Sequence, residues 1–149
     1  MVSLPELRER IAGIPDPELP VVTIGDLGIL REVRTDGPSV EVRITPTYVG
    51  CPALDVIRTE IRRVLEDAGF PDGKVSVVFA PPWGTGDISA EGRRKLAAAG
   101  IAPPSADAPA CPQCGSPHTE VLSAFGATLC QSLRRCTSCR EPFPAMKPH

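Results

Sequence analysis

Six cysteines carry most of the chemistry open to this sequence, and their spacing sorts them into kinds. Cys111-Pro112-Gln113-Cys114 and Cys136-Thr137-Ser138-Cys139 form two Cys-x-x-Cys knuckles separated by 21 residues. Each knuckle can turn two thiolates toward one ion, and four thiolates suit a tetrahedral Zn²⁺. An iron ion takes the same Cys₄ set, so spacing leaves the metal open. The N-terminus lacks a basic region followed by an apolar run, and no stretch of 18 apolar residues occurs. Residence in the cytoplasm is therefore expected, with the cysteines holding metal rather than disulfides.

Cys51 lies apart from the others, just before the strongest helical pattern of the chain. The unpaired N–H groups and dipole of a helix N-terminus favour negative charge and would lower its thiol pKa. A reactive or metal-binding thiol and a cysteine packed under the neighbouring strands both satisfy that placement. Asp16 and Glu18 offer two carboxylates in Asp16-Pro17-Glu18-Leu19-Pro20, a pattern that taken alone reads as a stiff turn. Cys130, six positions before Cys136, reads as a small buried core residue or as a second functional thiol. No Cys–His pair is visible, since His118 follows the first knuckle and His149 is the last residue; an enzyme built on a cysteine nucleophile lacks its base.

Elements that could position these groups follow from periodicity. Ser3-Leu4-Pro5-Glu6 is a capping-box pattern, followed by Leu7, Ile11 and Ile14 at helical spacing. A run from Asp26 to Arg34, a turn at Asp36-Gly37 and the alternation Val40, Val42, Ile44 predict a β-hairpin with one buried face. Leu54, Ile57, Ile61, Val64, Leu65 and Ala68 predict a helix with Pro52 in its first turn and Gly69 as its stop. Lys74 to Phe79 reads as a third strand, and Ser89 caps a last helix ending at Gly100. The expected fold is α+β: a small mixed sheet with helices packed on it, plus a C-terminal zinc-ribbon module with strands at 119–122 and 127–129. The proline-rich stretch 101–110 reads as a linker, giving a first domain over 1–100 and a ribbon over 111–149. Sixteen basic and 18 acidic residues, without like-charge blocks, leave no footprint for nucleic acid or an anionic membrane. Trp83, after Pro81-Pro82, reads as an aromatic docking anchor or a cover for the core.

The blocks Asp16-Pro17-Glu18-Leu19-Pro20, Asp26-Leu27-Gly28-Ile29-Leu30 and Thr45-Pro46-Thr47-Tyr48-Val49-Gly50-Cys51-Pro52 resemble the signatures of the iron–sulfur assembly accessory domain that includes the SufT proteins. Pro81-Pro82-Trp83, the Cys-Pro-x-Cys-Gly knuckle, Phe125-Gly126-Ala127-Thr128-Leu129-Cys130 and Glu141-Pro142-Phe143 narrow the resemblance to the PaaD (PaaJ) family of aerobic phenylacetate degradation. Ala127 stands where that family often has Ser, which leaves the metal ligands untouched. The resemblance implies a non-catalytic accessory of the phenylacetyl-CoA ring-epoxidising oxygenase system that helps mature a metal centre. Its partners would be the oxygenase and iron–sulfur reductase subunits and the iron–sulfur assembly machinery, and pairing into a homodimer is admitted. It implies Cys51, Asp16 and Glu18 as functional residues, Cys130 as a candidate second thiol, structural Zn²⁺ on Cys111, Cys114, Cys136 and Cys139, and a transient Fe or iron–sulfur cargo. The rival class is a structural subunit of the oxygenase complex that handles no metal.

Overall fold

The structure is a computed structural model; it describes residues 2–47, 52–104, 108–128 and 130–147. The chain folds as two compact units, 1–89 and 90–149.

In the first unit, α1 (Leu4–Ala12) begins where Ser3 accepts the Glu6 N–H at 3.3 Å and buries Leu7 and Ile11. The strand expected from Asp26 starts instead at Leu30. Upstream, the Thr23 N–H donates to Asp26 Oδ2 and the Asp26 N–H to Thr23 Oγ1, both at 3.0 Å, which locks residues 23–26 into a turn. Gly28 then takes φ 75°, and a Cβ there would lie 2.5 Å from the Asp87 carbonyl oxygen. Strands β1 (Leu30–Asp36) and β2 (Ser39–Ile44) pair antiparallel across Gly37-Pro38, Gly37 supplying the positive φ (60°) at the first central position of a two-residue turn. The turn therefore falls one residue later than Asp36-Gly37.

Helix α2 (Ala53–Asp67) buries Ala53, Ile57, Ile61 and Leu65, a four-residue repeat that places one stripe on the core. It starts after Pro52, one residue later than expected. It ends in a Schellman motif, with Gly69 at φ 91°, the Phe70 N–H returning to the Leu65 carbonyl at 2.8 Å and the Gly69 N–H to Glu66 at 3.1 Å. Strand β3 (Lys74–Val77) pairs parallel with β2, completing a mixed sheet in the order β1-β2-β3. Val40, Val42 and Ile44 turn inward from the central strand, while Glu41 and Arg43 face outward and pair at 2.6 Å. The sheet and helices match the α+β expectation, and the strand expected to reach Phe79 stops at Val77, leaving Phe79 exposed.

The second unit opens with α3 (Ala90–Ala98), closed by a second Schellman motif at Gly100 (φ 80°), where the Ile101 N–H bonds Leu96. The chain after it is tied in: Arg93 donates to the Pro104 carbonyl at 2.9 Å, and the fully buried Ala102 bridges Ala145. Three antiparallel strands follow, β4 (Thr119–Ser123), β5 (Gln131–Cys136) and β6 (Pro142–Met146), in that order across the sheet. The partner of β4 is thus 131–136 rather than 127–129. Ser123 Oγ bonds around Phe125, and the Gly126 N–H donates to the Gln131 carbonyl, so Ala127 and Thr128 of that expected strand bend instead of pairing; Leu129 lies outside the described residues. No helix among the described residues is long and apolar enough to cross a membrane.

Candidate metal centre and the Asp16 loop

Cys111, Cys114, Cys136 and Cys139 converge, their sulfurs all within 4.8 Å of one another. Across the two knuckles Cys111 Sγ lies 3.7 Å from Cys139 Sγ, and Cys114 Sγ lies 3.5 Å from Cys136 Sγ. A disulfide requires about 2.05 Å. Zinc–sulfur bonds of about 2.3 Å arranged tetrahedrally give sulfur–sulfur edges of about 3.8 Å, so the thiols fit one tetrahedral ion.

The chain builds this set by using one turn twice. The Cys111 N–H donates to the Ser116 carbonyl at 2.9 Å, and the Cys136 N–H donates to the Glu141 carbonyl at 3.0 Å, the same five-residue reach. Gln113 N–H points at Cys111 Sγ and Cys139 N–H at Cys136 Sγ, each at 3.4 Å. Such N–H···S contacts favour thiolate over thiol. The residue after each second cysteine turns through positive φ, Gly115 at 77° and Arg140 at 66°. The knuckles are also joined directly, by Ser116 Oγ and Ser138 Oγ at 2.9 Å. Cys111 and Cys136 are buried with Ala102, Phe143 and Ala145, whereas Cys114 and Cys139 are exposed. The first cysteine of each knuckle is therefore part of the ribbon's core.

The Cys136 thiol is lowered to about 6, first by the Cys139 N–H. Cys139, though exposed as a residue, is held up at about 12: the Glu141 N–H favours its thiolate, but partial desolvation of the sulfur and hydrogen bonds with the three neighbouring thiols outweigh that. Cys130 is buried, with its Sγ 3.0 Å from Thr128 Oγ1, and is not one of the four convergent thiols.

In the first unit Asp16 is buried, and one oxygen, Oδ2, accepts two backbone N–H bonds, from Glu18 at 3.0 Å and Leu19 at 2.8 Å. Burial pushes its carboxyl up, against those two bonds, with the Glu18 charge adding to the rise. The Asp16 N–H bonds Val22, and Pro15 bridges Thr23, so the carboxylate closes a loop pinned at both ends. Glu18 is half-buried on that loop. Cys51 and His149 lie outside the described residues. Trp83 is 7% exposed and donates to the Leu27 carbonyl at 2.7 Å, which makes it a cover for the core rather than a free anchor.

Two sequence families divide the chain. The family described as iron–sulfur cluster assembly protein matches residues 5–82, and the PaaD zinc beta ribbon domain matches residues 101–147. The chain belongs to the iron–sulfur cluster assembly protein family and carries a PaaD-type zinc ribbon. Among particular proteins, it is 41% identical over 95% of its length to a putative 1,2-phenylacetyl-CoA epoxidase subunit of Escherichia coli K12, covering 91% of that protein. It is also 35% identical over 83 residues to the Fe-S protein maturation auxiliary factor YitW of Bacillus subtilis, covering 52% of this chain and 80% of that one. A crystal structure of a domain of unknown function, DUF59, from Bacillus anthracis superposes with a TM-score of 0.56 at 27% identity over 62% of this chain and 90% of that one. A Thermotoga maritima protein shares the fold at TM-score 0.52 and 24% identity, over 64% of this chain and 94% of that one.

Sequence reasoning found the four convergent thiols from spacing alone. It missed the left-handed arginine after the second knuckle. The signal was available, because Arg140 stands where the first knuckle has glycine.

Proposed function

We propose that this chain is an accessory protein of a phenylacetyl-CoA epoxidase system, acting in the maturation of an iron–sulfur or other metal centre of the oxygenase or its reductase, and is not itself an enzyme. The observation that carries the reading is the 41% identity to the epoxidase subunit along nearly the whole chain, joined to an iron–sulfur assembly domain. In this reading Zn²⁺ on Cys111, Cys114, Cys136 and Cys139 is structural and makes the ribbon rigid enough to orient a client. Cys51 is the working thiol, holding a soft ion or cluster iron transiently or engaging a client thiol, with Glu18 as a hard oxygen donor on a loop that Asp16 closes. Incomplete ligation suits transfer, since a complete thiolate set would retain its ion.

The test is the iron and sulfide content of the reductase from cells lacking this chain, complemented with wild type or Cys51→Ala. Restoration by wild type alone is expected, and full cluster content with Cys51→Ala would contradict the proposal. A second reading, a structural subunit that holds the oxygenase together, draws support from the description of the E. coli relative as an epoxidase subunit. It predicts stoichiometric co-purification with the oxygenase and clusters that load without this chain.

A further inference from the structure

The four thiols of the ribbon differ in access. Cys111 and Cys136 are 2% and 0% exposed, whereas Cys114 and Cys139 are open to solvent. A dissolved oxidant therefore meets the second cysteine of each knuckle first. Each exposed sulfur lies close to a buried sulfur of the opposite knuckle: Cys114 Sγ is 3.5 Å from Cys136 Sγ, and Cys139 Sγ is 3.7 Å from Cys111 Sγ. Closing either pair to an S–S bond of about 2.05 Å takes a contraction of only about 1.5 Å.

The surrounding bonds set which pairs can close without rebuilding the ribbon. Each knuckle keeps its own turn, through the Cys111 N–H on the Ser116 carbonyl and the Cys136 N–H on the Glu141 carbonyl. Other bonds hold one knuckle against the other. Ser116 Oγ meets Ser138 Oγ at 2.9 Å, and Thr137 donates twice to the His118 carbonyl, from its N–H at 2.8 Å and from Oγ1 at 2.9 Å. A covalent bridge across the knuckles thus joins the same two segments that a metal ion joins, and can replace it as the staple of a small module.

We infer that the ribbon is a peroxide-responsive switch, in which the metal-binding thiolates convert to two cross-knuckle disulfides, Cys114–Cys136 and Cys111–Cys139, and the metal is released while the ribbon stays folded. The inference goes beyond the proposed function and rests on it only in taking zinc as the ribbon's metal.

The chemistry needs hydrogen peroxide and protons alone. The Cys114 thiolate attacks one peroxide oxygen: an S–O bond forms, the O–O bond breaks, and the departing hydroxide takes a proton to become water, leaving a sulfenic acid. The Cys136 thiolate then attacks the sulfenic sulfur; the S–S bond forms, the S–O bond breaks, and a second hydroxide leaves as water. Two thiolates, two protons and one peroxide give one disulfide and two waters, with two electrons passing from sulfur to oxygen. Cys139 and Cys111 remain, too few for a closed four-ligand site, and a second peroxide joins them in the same way.

The experiment treats the full chain, purified without oxygen and its zinc counted by elemental analysis, with hydrogen peroxide in the presence of a chromophoric chelator. Release of about one zinc per chain is expected, together with Cys114–Cys136 and Cys111–Cys139 bridges in non-reduced peptide maps. Circular dichroism of the oxidised chain should keep the strand signal of the zinc form, and reductant with added zinc should restore the metal. Bridges within a knuckle, bridges between chains, sulfinic acid at Cys114 and Cys139 without disulfide, or loss of the strand signal on oxidation would each overturn the inference. So would zinc that stays bound while Cys51 is oxidised. Iron counted in place of zinc before peroxide is added would instead defeat the reading of the ribbon on which the inference rests, so the two failures are separated by the order of measurement.

Discussion

Gly115 and Arg140 occupy equivalent places in two copies of one turn, each directly after the second cysteine of a knuckle and each with positive φ, 77° and 66°. Nothing lies within 4 Å of a Cβ built on Gly115, so a side chain there meets only the conformational penalty of the left-handed region. Arg140→Gly should raise ribbon stability by about 1 kcal/mol and Gly115→Ala should lower it by a similar amount. Chelator-induced unfolding of the zinc form, followed by circular dichroism, measures both, and equal stabilities would contradict the equivalence.

Metal affinity should fall on acidification, because each cysteine must lose its thiol proton to bind. In the folded knuckle the Cys139 N–H favours the Cys136 thiolate and holds its thiol at about 6, but the metal-free ribbon that competes with the bound form is unfolded and keeps its thiols protonated in this range. Competition with a chromophoric chelator between pH 5 and 7.5 should show affinity falling steadily as pH falls, and a pH-independent affinity would contradict thiolate ligation.

Asp16 yields a prediction whose sign is opposite to the usual carboxylate. Its folded pKa is raised from 3.8 by burial, so its protonated form carries the stability. That contribution is full below the unfolded value and is lost as pH rises through the raised one. Asp16→Asn keeps an oxygen for the Glu18 and Leu19 N–H groups without the buried charge, and should be at least as stable as the parent at pH 7.5. Asp16→Ala, which strands both donors, should lose about 1–2 kcal/mol. Urea denaturation at pH 4 and 7.5 checks the pair, and a stable Asp16→Asn chain that fails to restore cluster content would show that the charge itself is used.

Trp83 is the single tryptophan, buried and bonded to the Leu27 carbonyl. Trp83→Phe should destabilise the first unit by about 1–3 kcal/mol, from the unpaired carbonyl and the lost volume. The parent's emission should be blue-shifted and move red on unfolding; red-shifted emission from the folded chain would contradict its burial.

The parts of the fold legible in sequence are those with local causes. Ser3 and Glu6 announce the start of α1, the four-residue stripe through Ile57 and Ile61 announces α2, and Gly69 and Gly100 announce two Schellman ends. The Cys-x-x-Cys knuckles are legible because tetrahedral ligation constrains spacing directly. Misreadings arose where side chains override periodicity. Thr23 and Asp26 bond each other into a turn and delay β1, and Ser123 turns the chain after β4, moving its partner to 131–136. The Asp16 turn was legible from its Asp-Pro pattern, whereas the burial of the carboxylate and its acceptance of both the Glu18 and Leu19 N–H groups were not, because they depend on how the loop packs.

Elemental analysis of the chain purified without oxygen, comparing wild type, Cys51→Ala and the double variant Cys111→Ala with Cys114→Ala, tests the account most directly. One zinc per chain that is lost only in the double variant is the predicted result, placing structural metal on the ribbon and leaving Cys51 as a transient or client-facing thiol. Iron bound at the ribbon in place of zinc, or zinc that disappears with Cys51→Ala, would contradict it.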